Sequence, residues 1–275
     1  MRVLISADME GVTGVTCPED VQPGSARWQY FRTLLTGDVN AAADGFFAGG
    51  ADSVVVNEAH ASKRNLLIDQ LDQRCSAVIG THKFFGMMEG IDSGVDAVAF
   101  VGYHAGAGQQ GVLSHTFLGT TVLGVRINGE PASEGRMNAL LAAEFGVPVV
   151  LVTGDDLTCA DAASWAPGAE LVAVKQCVDR YTAECLPPAR TAELIRRAAA
   201  TGLSRLAGVQ QVAGPFRYEV AFDSTQPVNA CTGVPGVRAA GPRCVEFTLP
   251  TMAEAIRCFR VLTVLAGASV EPGYG

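Results

Sequence analysis

Ala97-Val98-Ala99-Phe100-Val101-Gly102-Tyr103-His104 is an apolar run that ends on an imidazole. A strand with one wet face alternates apolar and polar residues. A parallel strand covered on both faces reads instead as a continuous hydrophobic run. Segments 3–7, 53–57, 76–79, 147–153 and 171–175 have the same β-rich character, and helix-compatible stretches such as 31–47 and 138–145 lie between them. The stretch 138–145 stops at Gly146 with Pro148 just beyond, a helix-ending combination. This alternation predicts an α/β fold with a mainly parallel sheet and helices on both faces. Val125-Arg126-Ile127 followed by Asn128-Gly129 predicts a strand entering a tight turn, so a short antiparallel hairpin interrupts the parallel order.

The pattern changes at Pro187-Pro188. A helix is expected over 189–206, strands over 218–223 and 244–249 around a Gly/Pro-rich connection, and a closing helix over 252–265. The expected organisation is an α/β domain over 1–187 and a smaller α+β unit over 188–275.

The chain has 275 residues, 48% hydrophobic and 17% charged, enough for a packed core. Its net charge of −8 argues against a nucleic-acid partner. No apolar stretch approaches the roughly 20 residues of a membrane span, and Asp8 and Glu10 cut short the first apolar run, so neither a membrane partner nor a signal peptide is expected. The eight cysteines are scattered, without a C-x-x-C pair. They read as small buried hydrophobes of a reducing compartment, and the expected location is cytoplasmic.

The four histidines carry the chemical information. His60 ends Val54-Val55-Val56-Asn57-Glu58-Ala59-His60, and His104 ends the run quoted first. The first strand segment similarly leads into Asp8-Met9-Glu10. Ligands and catalytic groups of open α/β sheets gather beyond the carboxyl ends of the strands. Asp8 and Glu10 are two apart and, in extended chain, face one side, where two carboxylates repel unless a cation or shared proton relieves them. With imidazoles alongside, they form a donor set suited to zinc and related divalent ions, and a bridging Asp8 would allow a pair of metals.

His115 lies in Gly111-Val112-Leu113-Ser114-His115-Thr116-Phe117, read as a short extended segment. Neighbours on a strand face opposite ways, so Ser114 is a poor partner for it, and no G-x-S-x-G elbow occurs. His115 reads as an acid–base or charge-stabilising group near the metals, with a structural histidine as the open alternative. His82 has no partner in view and is unassigned. Gly106-Ala107-Gly108-Gln109-Gln110-Gly111 matches a dinucleotide-binding fingerprint, but the residues that follow do not make its helix, so nucleotide binding is not expected.

Asp8-Met9-Glu10-Gly11, Asn57-Glu58-Ala59-His60, Gly102-Tyr103-His104 and Ser114-His115, in this order, resemble the zinc D-aminopeptidase family of bacterial dipeptide-transport operons. The likeness runs over nearly the whole chain, including Gly154-Asp155-Asp156 and Ala173-Val174-Lys175-Gln176. It implies two zinc ions per subunit, with Asp8 shared and Glu10, His60 and His104 as further ligands. It also implies Glu134 as a ligand, a residue that otherwise reads as an ordinary first-turn helix acid. His115 matches the family's catalytic position. The resemblance implies hydrolysis of N-terminal residues, D-amino acids, from small peptides, and a homo-oligomer in the form of a decameric ring. Glu58 stands where a member of that family has Asp, and the sequence around Ser133–Arg136 and His82 also differs. A metal-dependent amidohydrolase or phosphoesterase acting on another small substrate, and a metal-binding protein without catalysis, remain alternative readings of the same residues.

Overall fold

The computed structural model describes residues 1–206, 208–209 and 211–271. In chain order the elements are β1 (Arg2–Ala7), α1 (Pro18–Val21), α2 (Ala26–Ala48), β2 (Ser53–Glu58), β3 (Cys75–Val78), β4 (Ala97–Val101), β5 (Val122–Ile127), β6 (Glu130–Pro131), α3 (Glu134–Glu144) and β7 (Val149–Asp155). They continue with α4 (Asp156–Trp165), β8 (Glu170–Asp179), β9 (Thr182–Cys185), α5 (Pro188–Ser204), β10 (Phe216–Phe222), α6 (Gln226–Cys231), β11 (Arg238–Gly241), β12 (Cys244–Leu249) and α7 (Met252–Ala268).

Seven strands form one sheet in the order β3-β2-β1-β4-β7-β8-β9, parallel except for β9, which runs antiparallel to β8. Alternate residues of its strands enter two different cores. Val3, Ile5, Val54, Val56, Ala99 and Val101 pack on one side with Leu35, Val39 and Phe46 of α2 and Ile195 of α5. Leu4, Val55, Val98, Phe100 and Val152 pack on the other, with α3, α7 and the second sheet. Both faces are therefore dry, which is why these strands are continuous apolar runs. Each fully buried Leu or Phe contributes on the order of 2 kcal/mol.

The second sheet is antiparallel, in the order β11-β12-β10-β5-β6. The β5–β6 hairpin turns at Asn128 and Gly129, with φ of 52° and 88°, the left-handed pair that a tight hairpin requires. This hairpin belongs to the second sheet, so that sheet draws strands from both sides of residue 187. Helix α5, just past Pro187, packs on α2 and on β7 and β8 of the first sheet.

The site depends on the centre of the large sheet. β1 lies between β2 and β4, with Ala7 opposite both Glu58 and Val101. Residues one to three positions beyond these pairs thus emerge at one rim, and they include Asp8, His60 and His104. The chains come very close there. Gly102 has φ +74°, and a Cβ on it would collide with the Asp8 carbonyl, so glycine is required.

Candidate metal centre

Asp8 follows β1 directly, and its backbone N–H donates to the Val101 carbonyl at 2.8 Å. Its two carboxylate oxygens diverge. Oδ1 lies 3.4 Å from His60 Nδ1 and Oδ2 lies 3.5 Å from His104 Nε2. Glu10 Oε2 is 3.1 Å from the same His60 nitrogen, and Glu10 Oε1 is 3.8 Å from His115 Nε2. Glu134 Oε1 lies 3.5 Å from His104 Nε2. Three triads therefore share members: Asp8, Glu10 and His60; Asp8, His104 and Glu134; Glu10, His104 and His115. Within each, the candidate ligand atoms lie within 4.8 Å of one another. The structure thus brings together all six residues singled out in the sequence. His82 is exposed and lines a different cavity.

The imidazoles are oriented by carbonyl groups, which can only accept hydrogen bonds. His60 Nε2–H donates to the Val21 carbonyl at 2.8 Å, leaving Nδ1 to face Asp8 and Glu10. His104 Nδ1–H donates to the Ala105 carbonyl at 2.9 Å, leaving Nε2 to face Asp8 and Glu134. His115 Nδ1–H donates to the Leu113 carbonyl at 2.8 Å, leaving Nε2 to face Glu10. A backbone carbonyl behind each ring is the usual way a protein fixes a metal-binding histidine.

The inward-facing atoms fit a divalent cation. Asp8 Oδ2, Glu10 Oε2 and His104 Nε2 are buried and have no hydrogen-bond partner among the described residues. Buried polar atoms of this kind are costly unless an ion or a proton joins them. Proton uptake offers partial relief: burial lowers the His60 imidazole, but the negative charges of Glu10 and Asp8 beside it outweigh burial and hold it well above its usual value. Burial likewise raises the Glu10 carboxyl, yet His60, His104 and His115 together hold it well below the usual carboxylate range. A site of carboxylates and imidazoles is suited to zinc and similar ions.

Several residues outside this set build the site. Lys175 is buried in β8, and its Nζ donates to the carbonyls of Glu10, Val12 and Val15 at 2.7, 3.0 and 2.7 Å. One ammonium thus gathers the loop that carries Glu10. Glu58, at the end of β2, turns its carboxylate to the backbone N–H groups of Asn65 and Leu66 and to the Asn65 amide, fixing the loop after His60. Asp155 accepts from Thr158 N–H at 2.6 Å as the N-cap of α4, and from Val112 N–H at 2.6 Å. It thereby ties the His115 loop to β7. Ser133 caps α3, with Oγ accepting from Arg136 N–H, and this places Glu134 at the first helical turn. Glu134 also accepts from Phe117 N–H at 2.8 Å.

Segment 111–117 is not extended as its sequence suggests. It is a series of turns, with Leu113 and Phe117 at φ 51° and 58°. The turns let Asp155 and Glu134 hold the segment by its backbone. No helix opens after Gly111.

The D-aminopeptidase family matches residues 1–261. The chain belongs to this family. A D-aminopeptidase of Bacillus subtilis (strain 168) is 31% identical over 272 residues, covering 97% of this chain and 98% of that protein. In structure the chain resembles the Zn-dependent D-aminopeptidase DppA from Bacillus subtilis, described as a self-compartmentalizing protease. The TM-score is 0.95 at 29% identity, with 98% of this chain and 100% of that chain covered. The likeness therefore includes both sheets and the rim that carries the clustered carboxylates and imidazoles.

Proposed function

We propose that this protein is a zinc-dependent aminopeptidase that releases N-terminal D-amino acids from short peptides. The observation that carries the reading is the carboxylate of Asp8, with one oxygen facing His60 and the other His104, amid buried polar atoms that have no partner among the described residues. In this reading Asp8, Glu10, His60, His104 and Glu134 would together hold two zinc ions per subunit. Zinc bound there supplies Lewis-acid chemistry, polarising a carbonyl and making water acidic near neutral pH.

The protein's own groups have distinct tasks. The Val21 and Ala105 carbonyls hold the rings of His60 and His104 with their lone pairs inward. The Leu113 carbonyl fixes the proton of His115 on Nδ1, so Nε2 is the atom that takes a proton or passes one to the leaving amine. Lys175 and Asp155 keep the Glu10 and His115 loops in register with the site.

The likeness to DppA, a self-compartmentalizing protease, supports an assembly of several copies. A decameric ring in the cytoplasm, acting on D-amino acid dipeptides in the setting of a dipeptide transporter, completes the proposal. No helix among the described residues is long and apolar enough to cross a membrane. Metal analysis of the purified protein, together with hydrolysis of matched D- and L-alanyl peptides and of a phosphoester, tests the reading. Zinc content with D-selective peptide cleavage is expected; activity confined to the phosphoester would refute it.

A further inference from the structure

A cavity of about 440 Å³, a volume suited to a small ligand, reaches the site at His115. His115 and Ser114 are on its wall, and His115 is the residue whose Nε2 lies 3.8 Å from Glu10 Oε1. Val122, Leu123 and Leu157 supply apolar surface, and Arg180 is its cationic wall residue.

Arg180 is exposed and tethered to the segment that carries His115. Its Nη2 donates to the Ser114 carbonyl at 3.0 Å, and its own carbonyl accepts from Leu113 N–H at 2.8 Å. The guanidinium is thus clamped to the residue beside His115. Its other N–H donors have no partner among the described residues, and no carboxylate there lies within ion-pair distance of it. Asp179 also lines the cavity, but its Oδ1 accepts from the Arg180 backbone N–H at 2.7 Å. A planar cation with free donors, held beside an apolar wall, matches a planar carboxylate.

We infer that Arg180 binds the free C-terminal carboxylate of the substrate and makes the site selective for unblocked short peptides, dipeptides above all. The inference rests on the aminopeptidase reading. A peptide whose scissile bond lies at the cluster, beside His115, has its next residue within about 3.5 Å along the extended chain. In a dipeptide that residue carries the carboxylate, and Arg180 is tethered to the carbonyl of Ser114, the residue next to His115. A longer or C-terminally blocked chain offers no anion there.

The test compares D-alanyl-D-alanine with its C-terminal amide, using the zinc-loaded protein and the variants Arg180→Ala and Arg180→Lys. The wild type is expected to favour the free acid in kcat/KM by about ten- to hundredfold, the range for a charge-assisted pair. Arg180→Ala should bring this ratio close to one, chiefly by raising KM for the acid, and Arg180→Lys should restore part of it. A wild-type ratio near one overturns the inference without requiring any variant to fold. So does a ratio that survives in both variants while the two rates fall together, because Arg180 would then serve only as a clamp on Ser114. If the zinc-loaded wild type cleaves neither compound, the aminopeptidase reading falls and takes the inference with it.

Discussion

His104 and His115 lie ring against ring, with centroids 4.2 Å apart and planes 7° from parallel. The stack has a chemical consequence. Each ring donates from Nδ1 to a nearby carbonyl, so the two Nε2 atoms point into the cluster from stacked planes.

The two rings should respond differently to truncation. His104→Ala removes a nitrogen that faces both Asp8 and Glu134, and both zinc content and hydrolysis should be lost. His115→Ala should keep zinc while turnover falls by at least about a hundredfold, the usual contribution of a positioned acid–base group. Metal analysis and kinetics on the same preparations distinguish the two. Zinc loss in the His115 variant equal to that in the His104 variant would show both rings to be ligands.

Zinc should stabilise the folded chain strongly. Carboxylates and imidazoles crowded without protons or metal are a burden on the native state, and a ligand bound at 100 times its Kd adds about 2.7 kcal/mol. Chelation should lower Tm by several degrees, and restoring zinc should reverse the loss. Scanning calorimetry checks this, and a Tm indifferent to chelator would count against the cluster as a metal site.

Lys175→Met should destabilise the protein even without metal. The change removes the ammonium that donates to the carbonyls of Glu10, Val12 and Val15, of which Val12 keeps the Val15 N–H at 3.2 Å. Buried carbonyls left without donors cost about 1–3 kcal/mol each, and a total loss of roughly 3 kcal/mol is expected after relaxation. Urea unfolding of the zinc-free protein measures it, and a zinc titration should show weaker binding because the Glu10 loop is no longer held.

Asp38 should contribute a pH-dependent term to stability. Burial pushes its carboxyl up to about 6, with Thr13 and Lys175 pulling the other way. The neighbouring hydroxyls suit a protonated Asp38. It can donate to Thr13 Oγ1, which donates to Thr191 Oγ1 at 2.9 Å, which donates to the Pro188 carbonyl at 3.0 Å. Because the folded value lies above the unfolded one, this stability is fully present below the unfolded value, about 4, and is lost as pH rises through about 6. The whole term is on the order of 3 kcal/mol. Asp38→Asn cannot ionise, so its stability relative to wild type should rise between pH 4 and 6.5. Urea midpoints across that range, taken with chelator present, test the sign.

Much of the fold was legible because burial on both faces leaves a local mark. The parallel strands appear in the sequence as β-branched runs, and the Asn128-Gly129 turn announces its hairpin. Other elements left weaker marks. Helix α4 has little periodicity, although Asp155 is a good N-cap and could have signalled its start. β9 and β11 are short edge strands defined by their partners rather than by their own residues.

By itself the sequence determined which strand ends carry ligand-type side chains, because Asp8, His60 and His104 each follow an apolar run that can only be a covered strand. It could not place Glu134, Lys175 or Arg180, whose roles come from contacts with residues far away along the chain. Lys175 Nζ meets the Glu10 carbonyl across 165 positions. It could not show that segment 111–117 turns rather than extends, since Asp155 and Glu134 hold that backbone from elsewhere. Nor could it show that the second sheet takes in 122–131. Periodicity records which face of an element is dry, whereas the packing of elements on one another decides which side chains meet.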